Sequence, residues 1–332
     1  MPPLSAWRDG IRRVNGAPLV LAGMFALTLL VALPLATVVG SMIEEHLGDS
    51  LAGSAVASGN SLDWWQEFAA QAQGLATTFV PSIIGFGAVL GNVSAFLDNQ
   101  PMAATIAGAT TAWMVIWSFL SGGVIDRYAR QRPTHASGFF AACGLNFWRF
   151  LRLGVLAWIV YGALFAIVHP WIFDTLYPGA IGGETVERTA FVVRAICYVI
   201  FGTFLVACNL VFDYARIRIV VEDRHSALGA LIAAARFVRR HPATLALYLL
   251  NAGMFLALAL LYALVAPGAL QGAAILLAFG IGQIYILLRH YLKLLFYASQ
   301  TAYFQGALAH AAYTASPTVV WPESPGAETI AN

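Results

Sequence analysis

Charge is what this chain has least of. Asp, Glu, Lys and Arg make up 10% of its 332 residues, against about 25% in an average soluble domain. A soluble fold must show water a polar exterior, and with 60% hydrophobic residues too little polar surface is left to cover the rest. That excludes an ordinary soluble domain and makes lipid the expected solvent. Net charge is slight, +2, and no Lys/Arg tract is present to follow a phosphate backbone, so nucleic acid is not an expected partner. Cysteine is scarce. Cys143, Cys197 and Cys208 have neither metal-ligand nor redox spacing and read as structural, small hydrophobes rather than ligands.

Catalytic signatures are missing too. The chain has no HExxH, no GxSxG and no Walker loop, and no carboxylate pair falls inside an apolar run. Its seven histidines are scattered, none paired at i, i+3 or i+4, and a lone one such as His169 reads as an interfacial hydrogen-bonder. No catalytic residue, metal ligand or cofactor is expected.

What is present is long apolar runs. A helix crossing ~30 Å of hydrocarbon needs about 20 residues at 1.5 Å each. Six segments qualify: Pro18–Met42, Ala104–Val124, Phe150–Phe173, Thr189–Phe212, Ala243–Ala266 and Ala273–Leu295. A further candidate, Ser82–Leu97, has only 16 residues and as a helix reaches about 24 Å, too short to cross comfortably. Charge supports six. All 18 basic residues except Arg188 and Arg194 then share one face, while Glu44, Glu45, Asp49, Asp63 and Glu67 lie opposite. Insertion follows the Lys/Arg bias, so the basic face is cytoplasmic and both termini with it. The first run is longer than the ~7–15 residues of a signal h-region and reads as an uncleaved anchor. The fold class expected is an all-α integral membrane protein of about six transmembrane helices, multi-pass in the cell inner membrane. Residues 1–312 form one transmembrane domain and 313–332 an extended cytoplasmic tail.

Three amphipathic stretches flank these spans. Leu4, Trp7, Ile11 and Val14 recur at helical spacing, as do Trp64, Phe68, Ala72, Leu75 and Phe79, the latter opened by Ser61 as an N-cap. A third, over 226–240, carries Leu228, Leu231, Ile232 and Ala235 and ends in Arg236, Arg239 and Arg240. The basic ones fit helices lying on lipid with anionic headgroups as partners, or helices packed under the bundle. The external loop 43–102 carries the second stripe and then Ser82–Leu97 as a re-entrant or surface segment.

Polar residues inside spans mark candidate sites, because burying them in lipid is costly. Gln283, His290, Lys293, Tyr297 and Gln300 fall on one arc of the last helix, with Arg289 beside it. The arc either lines a functional path or simply faces neighbouring helices, with Arg289 and Lys293 snorkelling to the interface. Asp213 closes the fourth span and pairs either with Arg216 at i+3 or across the bundle with Arg289 or Lys293. Asn209 and Asn251 are expected to hydrogen-bond between helices.

The stretch Phe212–Asn251, FDYARIRIVVEDRHSALGALIAAARFVRRHPATLALYLLN, resembles a family of uncharacterised bacterial multi-pass inner-membrane proteins. In these a span ends in an acidic-Tyr-Ala-Arg run, followed by an amphipathic helix, Arg-Arg-His-Pro and another span. More loosely, it is similar to the membrane domain attached to some glycerophosphodiester phosphodiesterases. The chain lacks any catalytic phosphodiesterase domain, so the resemblance implies a membrane fold without that activity. The leading expectation is a non-enzymatic scaffold or accessory subunit with a membrane protein partner. The alternative is a small-solute transporter using the polar face of the last span. A cavity lined by Gln283, His290 and Asn251 would favour transport; a packed interior with an exposed apolar groove would favour partner binding.

Overall fold

The computed structural model describes residues 1–57, 61–79, 94–100, 104–183, 186–265 and 274–308. The expected tail over 313–332 and most of Ser82–Leu97 lie outside the described residues. Among those described, all regular structure is helical. The helices are α1 (Pro3–Asn15), α2 (Pro18–Leu47), α3 (Gly53–Ala57), α4 (Leu62–Gln71), α5 (Ala104–Arg130), α6 (Ala136–Ile181), α7 (Glu187–Val221), α8 (Ala227–Arg240), α9 (Ala243–Val265) and α10 (Ala274–Ala307). Four of them, α2, α6, α7 and α9, are long and apolar enough to cross a membrane.

The helices outrun the apolar runs that announce them. Helix α7 has 35 residues and α10 has 34, about 50 Å each at 1.5 Å per residue. Hydropathy marks where lipid ends, whereas a helix continues as long as protein can bury its sides. The N-terminal part of α7 turns Phe191, Val192, Ile196 and Val199 outward, yet beyond Leu210 nearly every side chain is buried. The same change occurs in α10, which from Leu294 to Phe304 is buried on almost every face. Helix α6 runs 46 residues straight through Pro170. Two π-helical turns, Leu164–Val168 and Trp171–Leu176, flank that proline and absorb its missing N–H.

The buried core therefore sits at the basic end of the bundle, where α1 crosses the end of α10. A Cβ on Gly10 would stand 2.7 Å from Ser299 Cβ, so only glycine permits that crossing. Arg13 fastens it: Nη1 donates to Tyr128 O at 2.9 Å and to Gln305 Oε1 at 2.8 Å, and Nε to Asp9 at 2.9 Å. Burial pulls its pKa down and the nearby Asp9 carboxylate opposes that.

Helix α8 packs Ala227, Ala230, Ala234 and Phe237 against the bundle and leaves Leu228, Ile232, Arg236, Arg239 and Arg240 exposed. Ser226 caps it, accepting from Gly229 N at 3.1 Å. Arg218 Nη1 reaches Ala233 O at 2.8 Å and ties it to α7. One face is thus covered by protein, and the basic, leucine-bearing face is not.

At the opposite end, the stripe expected over Trp64–Phe79 is not one helix. Helix α4 stops at Gln71, and a 3-10 turn, Gly74–Thr78, follows because Gly74 adopts φ +56°. Trp64, Trp65 and Phe68 still share a core with Met42 and Ile43 of α2. Ser61 precedes α4, but its side chain makes no capping bond. On the same end, Tyr198 donates to Asp98, Ser94 Oγ donates to it at 2.9 Å, and Arg194 stands 3.7 Å away. The tyrosine hydrogen bond above all holds the Asp98 carboxyl below its usual pKa. His169 meets Leu97 O at 2.9 Å and is buried.

Candidate functional site

Where α7 and α10 pass from an outward-facing apolar half to a buried one, they enclose polar groups with α5 and α6. Asp213 and Arg216 are one helical turn apart on α7, and their ion pair measures 3.0 Å. Gln300, from α10, donates to the other oxygen of Asp213 at 3.3 Å. Tyr297, one turn earlier on α10, accepts from Trp117 Nε1 at 3.1 Å and from Arg216 Nη1 at 3.4 Å. Lys293, a further turn back, sets its ammonium 3.6 Å from the centroid of the Trp117 ring. The spacing 293, 297, 300 is the helical repeat itself, which is why one face of α10 delivers all three.

All of these groups except Gln300 border a partly open cavity of about 320 Å³. Ser118 and Ser121 of α5, Asn209 of α7 and Gly154 of α6 complete its polar and close-packed walls. Two cations face one carboxylate. Asp213 is occupied by Arg216 and Gln300, and among the described residues Lys293 has no carboxylate within ion-pair distance. Because Tyr297 accepts two hydrogen bonds, its own O–H is free to donate. The cavity therefore offers donors and positive charge to whatever enters it.

The expected arc divides. Lys293 turns into the bundle rather than snorkelling outward, while Arg289 is exposed and lies 5.6 Å from the Tyr285 ring. His290 faces α2 and meets Thr28 Oγ1 at 3.0 Å. Gln283 keeps its Oε1 buried without a partner and does not line the cavity. Asn251 donates to Ser299 Oγ at 3.0 Å, between α9 and α10 and away from the cavity wall. Asn209 donates to Tyr248 at 2.7 Å, so it both bridges helices and lines the cavity. Trp117, Ser118 and Ser121 were not singled out by sequence. The only signal available was that Trp117 and the serines recur at i, i+1 and i+4 in a stretch otherwise apolar.

A second cationic recess, about 470 Å³, lies alongside α8 and is bordered by Arg218, Arg224, Arg236, Arg240 and His241. Arg218 and Arg224 there both pair with Glu222. Among the described residues no three His, Cys, Asp or Glu side chains gather as a metal ion requires. Comparison of the chain with protein-family models, with curated proteins and with solved structures finds no match in any of the three.

Proposed function

We propose that this chain is an inner-membrane protein of about six spans, with both termini cytoplasmic, that works by binding rather than by catalysis. In this reading it is an accessory or scaffold subunit whose bundle holds a small anionic group between Arg216 and Lys293. Helices α5 and α10, with 27 and 34 residues, have the length to cross ~30 Å of hydrocarbon and would bring the four clearly apolar helices to six. The exposed arginines of α8 would face anionic headgroups at the cytoplasmic surface.

The observation that carries the binding reading is the excess of cations over carboxylates in the cavity, with the Lys293 ammonium and the Tyr297 hydroxyl unspent. A cavity lined by Gln283, His290 and Asn251 would have favoured transport along the polar face of the last span, and none of the three borders this one. The test is thermal unfolding of the purified chain in a non-ionic detergent, with inorganic phosphate against chloride at equal ionic strength. A ligand at a hundred times its Kd stabilises by about 2.7 kcal/mol, so phosphate should raise the midpoint in the wild type and not in Lys293→Gln. Equal midpoints in phosphate and chloride for the wild type would overturn the reading.

A further inference from the structure

The cationic cavity does not end at its polar walls. It meets two apolar grooves, one of about 400 Å³ between α5 and α6 and one of about 640 Å³ running toward α7 and α9. The first shares Met114, Ser118 and Gly154 with the cavity, and the second shares Met114 and Asn209. Thr111, Met114 and Trp158 border both grooves, and Trp158 Nε1 lies 3.3 Å from Met114 Sδ. The first groove opens to the outside of the bundle, since Val115, Val155, Trp158 and Ile159 are all exposed.

This is a site with two chemistries. Its polar end gives N–H and O–H donors and a net positive charge, and its apolar end gives two grooves with Met114 and Trp158 between them. We infer that the occupant is one anionic diacyl phospholipid, its phosphate between Lys293 and Arg216 and its two chains along the two grooves. Charge selects the headgroup: Asp213 is already paired, so a phosphate monoanion balances the remaining cation, whereas a zwitterionic headgroup brings its own cation to Lys293. The grooves select a ligand with chains over a free anion, because their apolar walls gain only from apolar surface removed from water or loose lipid. The inference rests on the cavity being an anion site and adds the chains.

Val155 separates the two parts experimentally. It lines the first groove and not the cavity, and it faces the outside of the bundle, so Val155→Trp can be accommodated and fills the groove. The full chain is stripped of lipid in a non-ionic detergent and reloaded with phosphatidylglycerol, phosphatidylcholine or inorganic phosphate. Native mass spectrometry reads the bound lipid, and thermal unfolding reads the phosphate. A background variant with Arg236, Arg239 and Arg240 all changed to Gln removes lipid held at α8.

One phosphatidylglycerol per chain should bind, about tenfold tighter than phosphatidylcholine. Val155→Trp should weaken phosphatidylglycerol by about tenfold while the phosphate response persists, which also shows that the variant is folded. Lys293→Gln should lose both. Equal binding of the two lipids, or phosphatidylglycerol binding indifferent to Val155→Trp, would overturn the lipid inference. Phosphate stabilisation without any retained lipid would sink the inference and leave the anion site standing, and silence from both probes would sink the two together.

Discussion

The Lys293 ammonium rests 3.6 Å from the centre of the Trp117 ring, while the edge of that same ring donates from Nε1 to Tyr297, one turn along the lysine's own helix. One indole thus meets a cation with its face and a hydroxyl with its edge, leaving the ammonium's N–H donors free, and it locks α5 to α10 at the level of the cavity. Cation–π contacts of this kind contribute about 0.5–1 kcal/mol at exposed sites and about 2 or more where water is excluded.

From that arrangement the two partners should behave differently when replaced. Trp117 is 8% exposed, and Trp117→Ala removes packing, cation–π contact and hydrogen bond together, at an expected cost of about 3–5 kcal/mol. Lys293→Met keeps the apolar stem, and the cation–π contact it gives up is offset by removing a half-buried cation, so the midpoint should move far less than for Trp117→Ala while the phosphate response is lost. Thermal or denaturant unfolding in detergent measures both. A Trp117→Ala variant as stable as the wild type would refute the lock.

The sequence carried part of this site plainly. Asp213 and Arg216 are three residues apart, and Lys293, Tyr297 and Gln300 share a helical arc, so local periodicity alone groups them. Periodicity does not say which neighbour a given turn meets. His290 lies on the same arc as Lys293 yet faces Thr28 of α2, and Trp117 reaches Tyr297 across 180 residues. Such pairs are set by helix packing, which one sequence does not disclose. The ends of α7 and α10 were hidden for a related reason: hydropathy falls after Phe212, but the helix persists because α1, α5 and α8 supply protein cover.

Close helix crossings give the second prediction. A Cβ at Gly10 would stand 2.8 Å from the Ser299 backbone, and one at Gly123 would stand 2.6 Å from Cys143 Sγ and 2.8 Å from Phe139 O. Gly10→Ala and Gly123→Ala should each destabilise by about 1–3 kcal/mol through overpacking. Gly23 and Gly253 have nothing within 4 Å of such a Cβ, so alanine there should be neutral or stabilise by up to about 1 kcal/mol through helix propensity. Unfolding midpoints of the four variants decide it, and equal effects at both kinds of site would refute the crossings.

Acid should loosen the end of the bundle that carries Asp98. Its folded pKa lies below the ordinary value because Tyr198, Ser94 and Arg194 all favour the ionised form. A depressed acid contributes stability that is fully present above its unfolded pKa, about 3.9, and lost as pH falls through the lower folded value. Hydrogen exchange over residues 94–100 should therefore accelerate on acidification below about pH 4 in the wild type. In Asp98→Asn it should be fast already at neutral pH and show no acid step. A step that survives in Asp98→Asn would assign it to another group.

Topology is tested by reporter fusions. Six spans with the basic end inside require cytoplasmic signals at Thr134 and His225 and external signals at Ser50 and Gly182. Thr134 lies between α5 and α6, and His225 between α7 and α8. An external signal at Thr134 would mean that α5 does not cross or that a further crossing precedes it, and either would remove the six-span reading.

The last prediction concerns the uncovered face of α8. Leu228 and Ile232 are 56% and 46% exposed, although a helix packed wholly against protein would turn such residues inward. Arg236, Arg239 and Arg240 lie exposed at its C-terminal end. If this face meets the membrane surface, apolar side chains enter the headgroup boundary while each arginine gains about 1 kcal/mol from an anionic leaflet. An environment-sensitive fluorophore on Ile232→Cys, in the full chain reconstituted in nanodiscs, reports the contact. Native cysteines do not confuse the reading, because Cys143 and Cys197 are buried and Cys208 replaced by Ser gives a clean background. Emission should shift to the blue in discs rich in phosphatidylglycerol and much less in phosphatidylcholine alone. Salt should reverse the shift, since exposed charges are screened over about 8–10 Å at physiological ionic strength. Replacing the three arginines by Gln should abolish the lipid dependence without moving the unfolding midpoint, because none of them packs in the core. A shift equal in both lipids and indifferent to salt would mean that protein, not membrane, covers Ile232.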